Sequence, residues 1–288
     1  MRRQRTIAQV ARVAGFGFWS GQDVQVEFRP APADSGITFV RADLQPVVRI
    51  PAHVANRIEV PRRTTLTAHG VAVEMVEHLL AACMGLEIDN CEVWVDSAEL
   101  PGCDGSSAPF VDALQQVGAV EQENLRPRLT VADATRVGDD DSWVEARPSA
   151  SAGLSLKYQL DYGSGNDIGR QTIKLEITRE SFQSELASAR TFLLSDEADW
   201  LRSRGLGQRV KWQDVLVFGE DGPIENELRF EDECVRHKAL DLLGDLALAG
   251  CELVGHFAAY RSGHRLNAEL VRVLLTQCQI ETERRKSA

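Results

Sequence analysis

The sequence contains no pair of cysteines in a CxxC spacing. Its six cysteines (Cys83, Cys91, Cys103, Cys234, Cys251 and Cys278) are scattered without a disulfide-framework spacing. Reduced thiols in the cytoplasm are therefore the simplest expectation. No stretch approaches the roughly 18 uninterrupted apolar residues of a membrane helix, so no transmembrane segment is expected. The basic start Met1-Arg2-Arg3-Gln4-Arg5 is not followed by an unbroken apolar stretch, which argues against a signal peptide. Positive charge is in deficit: 32 Lys and Arg stand against 43 Asp and Glu, for a net charge of −11. Phosphate backbones reward clustered Lys and Arg, so nucleic acid is not an expected partner. Low-complexity tracts and short-period repeats are also missing.

What is present is an ordinary globular composition. Hydrophobic residues make up 43 % of 288 positions, enough for a core without disulfide or metal staples and, at roughly 150 residues each, for about two domains. The charged, proline-bearing stretch Glu121-Gln122-Glu123-Asn124-Leu125-Arg126-Pro127-Arg128 is the clearest seam. It suggests an N-terminal domain over 1–122 and a C-terminal domain over 128–288. In the first, Val71, Val73 and Met75 alternate as in a strand. Val76, Leu79, Leu80 and Cys83 then follow a helical stripe, and Cys91, Val93 and Val95 alternate again. A turn at Asp104-Gly105 precedes a helix through Phe110, Val111 and Leu114. In the second, Leu154, Leu156 and Tyr158 read as a strand, and helical patterns cover about 179–189 and 195–204. A strand follows around Val215 and Val217, then a turn at Asp221-Gly222-Pro223. A strong helix over about 231–249 ends at Gly250. A strand over 253–260 leads through Arg261-Ser262-Gly263 to a last helix carrying Leu266, Leu270, Val273 and Leu274. Strands and helices mix without regular βαβ alternation, so the expected class is α+β, with helices packed on a sheet in each domain.

Three of the six histidines keep suggestive company. His237 and Asp241 stand at i and i+4 on the strong helix, with Asp245 one turn on, opposite an apolar stripe of Val235, Ala239, Leu242 and Leu246. That ridge is either a solvated face or a platform for Zn²⁺; the spacing alone does not distinguish them. Glu77-His78 opens another helix and offers a further ligand beside a general base. His264 follows a loop at the start of the last helix, where a side chain can be aimed into a cleft. Two histidines and one aspartate would leave an open metal position, the catalytic rather than the structural pattern. Glu77 could then take a proton from water. His264, held charged by Asp245, could stabilise an oxyanion or protonate a leaving amine. The reaction class is metal-assisted hydrolysis, most naturally of an amide.

These residues sit in longer motifs. Val76-Glu77-His78-Leu79-Leu80-Ala81-Ala82 is followed by Gly85-Leu86-Glu87-Ile88-Asp89-Asn90, then by Asp104-Gly105-Ser106-Ser107-Ala108-Pro109-Phe110. Ala189-Arg190-Thr191-Phe192, Ser203-Arg204-Gly205-Leu206, Arg236-His237-Lys238 with Asp241 and Gly244-Asp245-Leu246, and Ser262-Gly263-His264 with Leu266-Asn267 complete the series. In this order, over residues 4 to about 275, they resemble the UDP-3-O-acyl-N-acetylglucosamine deacetylases, the LpxC family. The resemblance implies two similar α+β domains, each a sheet with two helices packed on it and the active site between them. It implies Zn²⁺ as cofactor on His78, His237 and Asp241, with Glu77 as base and His264 as acid or electrostatic partner. Lys238 and Asp245 would line the site, and Thr191 would hydrogen-bond the oxyanion. Asp161 and Tyr162 fall where the family contacts the nucleotide. Phe192, Leu194 and Ala198 fall at the substrate, the last two along an apolar passage for the acyl chain with Leu193 and Leu201. The implied reaction releases acetate from UDP-3-O-(3-hydroxyacyl)-N-acetylglucosamine, the committed step of lipid A synthesis. The partner would be that small UDP-acyl-amino-sugar, and a monomer is the default state.

Departures from the family pattern bear on substrate rather than chemistry. Trp19 stands where the family usually has His, and Met75 where it usually has Thr. Glu59 falls near a small polar position, and the glycine-rich turn is reduced to Gly207-Gln208-Arg209. They motivate a second reading, the same amidase on another N-acetylated sugar or lipid. A third, a catalytically silent paralogue that binds the nucleotide-sugar, predicts a broken metal or base position, and none is broken.

Overall fold

The computed structural model describes residues 2–165 and 167–287, with side chains as far as Cys278. Its helices are α1 (Glu77–Gly85), α2 (Ala108–Val117), α3 (Arg179–Ser181), α4 (Ser195–Ser203), α5 (Glu233–Leu246) and α6 (His264–Ser287).

In the first half, a five-stranded sheet runs in the order Ala11–Phe16, Asp23–Pro30, Cys91–Val95, Ile37–Arg41, Val48–Pro51. Its alternation is physical. Cys91, Val93 and Val95 are buried, while Glu92 and Trp94 between them are half-buried. The buried face joins Leu79, Leu80 and Cys83 of α1 and Phe110, Val111 and Leu114 of α2 in one core, with the Phe28 and Phe110 rings edge-on at 6.4 Å. A smaller sheet of Arg57–Ile58, Thr65–Ala68 and Val71–Glu74 leads directly into α1.

In the second half, Thr135–Gly138, Trp143–Arg147, Glu252–Tyr260, Leu154–Asp161 and Arg170–Ile177 form the main sheet, with Arg128–Thr130 added to Glu252–Tyr260. Helices α5 and α6 pack on it, and α5 also packs against α1. The fold is α+β, a sheet with two helices in each half. A side sheet of Phe192–Leu194, Leu216–Gly219 and Gly222–Pro223 stands apart beside α4.

Three sequence expectations change in detail. Residues 179–189 do not form one helix. The single turn α3, capped by Thr178, runs into a wider turn over Phe182–Leu186 that buries Phe182 and Leu186. The helix expected to 249 stops at Leu246 and tightens over Ala247–Ala249 before Gly250 in the left-handed region. The charged stretch at 121–128 is largely strand: Ala119–Leu125 pairs antiparallel with Arg3–Ile7, and its polarity is that of an exposed edge. Among the described residues, no strand pairing joins residues up to 125 with residues from 128 onward.

Candidate active site

The site is assembled where α1 meets α5. Strand Val71–Glu74 ends at Met75, whose φ of 62° turns the chain so that Glu77 opens α1. Glu77 is buried, and its Oε2 accepts the Thr64 backbone N–H at 3.0 Å. Burial raises its pKa, partly offset by the nearby His264 charge. His78 follows, its carbonyl accepting the Ser107 hydroxyl at 2.7 Å.

Helix α5 can approach because Gly244 faces α1. A Cβ there would lie 2.1 Å from the Glu77 carbonyl oxygen. The approach brings the His78 and His237 rings edge-on, 5.0 Å apart. It also buries the ridge of His237, Asp241 and Asp245 as fully as the apolar stripe behind it, so the ridge is not a solvated face. His237 Nδ1 is 3.1 Å from the Ala189 carbonyl, which only accepts, so Nδ1 carries the proton and Nε2 presents a lone pair. Burial first, with the neighbouring Lys238 charge, pushes the His237 pKa down to about 4, so the ring is neutral near pH 7. That lone pair faces Asp241 Oδ1 at 3.3 Å, and His78 Nε2 lies 3.5 Å from the same oxygen. Burial disfavours the Asp241 carboxylate, yet the Lys238 ammonium, hydrogen-bonded to Oδ2 at 2.7 Å, holds its pKa well below the usual range. Lys238 stays charged: burial works against it, but Asp241 lifts its pKa above the ordinary lysine value.

Asp241 Oδ1 itself has no hydrogen-bond partner. A buried carboxylate oxygen facing an imidazole lone pair is two acceptors in opposition, a costly arrangement that a shared cation relieves. Among the described residues, His78, His237 and Asp241 bring their ligand atoms within 4.8 Å of one another. Two imidazole nitrogens and one carboxylate oxygen form a donor set that suits Zn²⁺ with one position left open.

Opposite stands His264, the first residue of α6. Its Nδ1 donates to Asp245 Oδ2 at 2.8 Å, and its Nε2 lies 4.0 Å from Glu77 Oε1. Burial would lower its pKa, but Asp245 lifts it to about 9, so the ring is an imidazolium near pH 7. Asp245 also accepts from Thr64 Oγ1 at 2.6 Å and Asn267 Nδ2 at 2.8 Å.

A cavity of about 1100 Å³ opens on this centre. His237, Lys238, Asp241, His264 and Thr191 line it, and His78 packs against His237 while Glu77 and Asp245 stand beside His264. Thr191 is fixed by its N–H to the Gly105 carbonyl at 2.8 Å. Gly105 has φ of 80°, and a Cβ there would lie 2.6 Å from the Asp214 carbonyl, so the Asp104-Gly105 turn admits no side chain. Farther out, Asp161 and Tyr162 line the cavity. Asp161 is engaged by Arg170, the Gly163 N–H and the Tyr260 hydroxyl. The Tyr162 ring stands edge-on to Phe192 at 5.9 Å, and Phe192 in turn to His237 at 6.3 Å. Leu194 and Ala198 line the far end. All the site residues read from the sequence thus belong to this cavity or the layer behind it. Thr64 and Asn267 were missed. Asn267 lies one turn after His264 and its position hints at a role; Thr64 is 181 residues from Asp245 and carries no sequence signal.

A family model for UDP-3-O-acyl N-acetylglycosamine deacetylase matches residues 4–276. Proteins named UDP-3-O-acyl-N-acetylglucosamine deacetylase are similar over nearly their whole length. The one from Thioalkalivibrio sulfidiphilus is 41 % identical over 285 residues, covering 96 % of this chain and 91 % of the relative. That from Shewanella violacea is 39 % identical over 295 residues, covering 98 % and 94 %. That from Cellvibrio japonicus is 40 % identical over 278 residues, covering 96 % and 91 %.

Proposed function

The chain belongs to the UDP-3-O-acyl N-acetylglycosamine deacetylase family, and on that premise we propose that it is a zinc-dependent amide hydrolase. Its substrate in this reading is UDP-3-O-(3-hydroxyacyl)-N-acetylglucosamine, from which it releases acetate in the committed step of lipid A synthesis. The observation that carries the reading is the unpartnered Asp241 Oδ1 between His78 and His237, with Glu77 Oε1 and His264 Nε2 standing 4.0 Å apart in the same site.

His78, His237 and Asp241 would hold the metal. Zn²⁺ bound there supplies Lewis-acid polarisation of the amide carbonyl and a more acidic water. Glu77, with Oε2 fixed by Thr64, offers Oε1 to take a proton from the attacking water. Thr191 and Lys238 line the same cavity, and in this reading the Thr191 hydroxyl donates to the oxygen on which negative charge develops. His264 gives its proton to the departing amine, and Asp245 keeps it charged and oriented. Asp161, Tyr162 and Phe192 border the space for the uridine and sugar. Leu194 and Ala198 border an apolar passage for the acyl chain.

The same reading assigns domains to 1–122 and 128–288 with the site between them, and strand pairing that stays on either side of residues 126–127 supports it. It assigns a cytoplasmic monomer. The scatter of the six cysteines without a disulfide-framework spacing supports a reducing compartment, and no helix among the described residues is long and apolar enough to cross a membrane.

One feature favours a second substrate. The Trp19 indole N–H reaches the Met75 sulfur at 3.3 Å, and the Arg63 guanidinium covers the Trp19 ring at 4.8 Å. Both Trp19 and Met75 line the cavity where the family usually has smaller polar groups. The test is acetate release from the UDP-acyl-sugar by the purified protein, with metal content measured on the same sample. Zinc near one per chain, with turnover abolished by a chelator and restored by Zn²⁺, is the expected result. Zinc without turnover at any acyl length would move the substrate to another N-acetylated sugar or lipid. Neither metal nor turnover would overturn the reading.

A further inference from the structure

We propose that Thr64 is a positioning residue that joins the base arm and the acid arm of the site into one frame. The inference rests on the reading of Glu77 as base and His264 as acid. Thr64 is fully buried and lies just before the strand Thr65–Ala68. Three of its groups are committed. Its N–H donates to Glu77 Oε2 at 3.0 Å, its hydroxyl donates to Asp245 Oδ1 at 2.6 Å, and its carbonyl accepts the Val76 N–H at 3.4 Å. One residue therefore holds the entry to α1, the carboxylate at that entry, and the carboxylate on α5 that orients His264.

The four residues form a loop. Hydrogen bonds run from Glu77 to Thr64, from Thr64 to Asp245, and from Asp245 to His264. The fourth side is open: Glu77 Oε1 and His264 Nε2 stand 4.0 Å apart. These are the two atoms that must act on one reacting group, the first accepting a proton and the second donating one. The width of that gap is set by the three closed sides, because neither side chain has another fixed partner on its reactive atom.

Threonine suits the task chemically. Its hydroxyl donates to one carboxylate while its amide donates to the other, and its β-branch restricts χ1 so that both directions are fixed together. The bond to Asp245 is charge-assisted and buried, so deleting the hydroxyl leaves an acceptor short of a partner and free to reorient. Groups that hold reacting side chains or ligands from behind are typically worth about 10–100-fold in activity.

The test compares Thr64→Val, which keeps shape and branching but loses the hydroxyl, with Thr64→Ser, which keeps the hydroxyl. Thr64→Val is expected to lower kcat about 10–100-fold with KM within about twofold and metal content unchanged. Thr64→Ser is expected to recover most of the rate. In an Asp245→Asn background, Thr64→Val is expected to add little, since the two act as one unit. Should Thr64→Val fail to fold, Thr64→Ala makes the same comparison. Equal losses in the valine and serine variants, full additivity with Asp245→Asn, or an unchanged kcat would each overturn the inference. Glu77→Gln and His264→Ala run alongside. If those two keep near-normal rates, the underlying reading of base and acid fails. If they collapse while Thr64→Val does not, only the role of Thr64 fails.

Discussion

At one end of the cavity, Glu77, His78, His237, Asp241 and Asp245 stand on two helices in backbone contact, none more than 6 % exposed. At the other, a small separate sheet and α4 present Leu194 and Ala198, with Tyr162 38 % exposed nearby and Trp200 48 % exposed on α4. The inner end is a polar network in which almost every donor and acceptor is assigned. The outer end mixes apolar side chains with Glu197 and Arg202, and the Arg62–Glu197 pair ties it to the first half. Chemistry needs charges fixed in a dry place before the substrate arrives, because reorganising them during reaction costs free energy. Recognition of a chain of methylenes needs area and shape, and tolerates looser walls. Under the proposed function, catalysis belongs to one end and selection to the other, and the contrast can be broken by variants at either.

The largest effect is expected at the metal ligands. His237→Ala should lose the metal and turnover together, and full metal occupancy in that variant would remove His237 from the ligand set. Next comes Glu77→Gln, which should keep the metal and lose about 10²–10⁴-fold in kcat. A near-normal rate would end its role as base. Thr191→Val removes a donor to the oxyanion and should lower kcat by about 10²–10³-fold without moving KM; a KM effect alone would shift Thr191 to the recognition end. A Leu194 substitution, by contrast, should leave kcat alone.

The acid arm adds a pH test. His264 has a folded-state pKa of about 9, above the value near 6.5 expected for the unfolded chain. An acid must be protonated and a base ionised to act, so kcat/KM should fall about tenfold per pH unit above this value and should also decline at low pH as Glu77, whose pKa burial raises, takes up a proton. The sign for stability is the same. A raised pKa means the folded state holds the proton more tightly, so this contribution is complete below about pH 6.5 and disappears as pH rises through about 9. His264→Ala should lower the plateau and abolish the alkaline limb; a limb that persists in that variant belongs to another group.

At the inner end the candidate positions were legible in the sequence because their spacing is local, while their roles came from the resemblance of the longer motifs. His237, Asp241 and Asp245 share a ridge through the helical repeat, and Glu77-His78 marks a helix entry. The α+β class followed from alternation and helical stripes that the sheets and helices reproduce. What escaped is what depends on long-range approach. Gly244 reads as a weak point in a helix until the Glu77 backbone is found against it. Thr64 is one polar residue among several until the fold carries it to Asp245. The stretch at 121–128 looked like a linker because an exposed edge strand and a linker share one composition. The wide turn at Phe182–Leu186 kept helical spacing while breaking the helical hydrogen-bond pattern.

The smallest effect, and the one that sharpens the contrast most, is expected from Leu194→Ala. Leu194 is half-buried in the cavity wall at the end of strand Phe192–Leu194 and touches none of the metal, base or acid residues by hydrogen bond. If the outer end only covers an acyl chain, the variant should lose binding in proportion to the methylenes it no longer shields. At about 0.8 kcal/mol per buried methylene, that is about fourfold in KM for each. The loss should grow with acyl length up to the extent of the passage and vanish for a substrate without the chain, with kcat constant throughout. A fall in kcat that is independent of chain length would mean that the outer wall also sets the geometry of the inner one, and the division between a rigid catalytic end and a permissive recognition end would have to be abandoned.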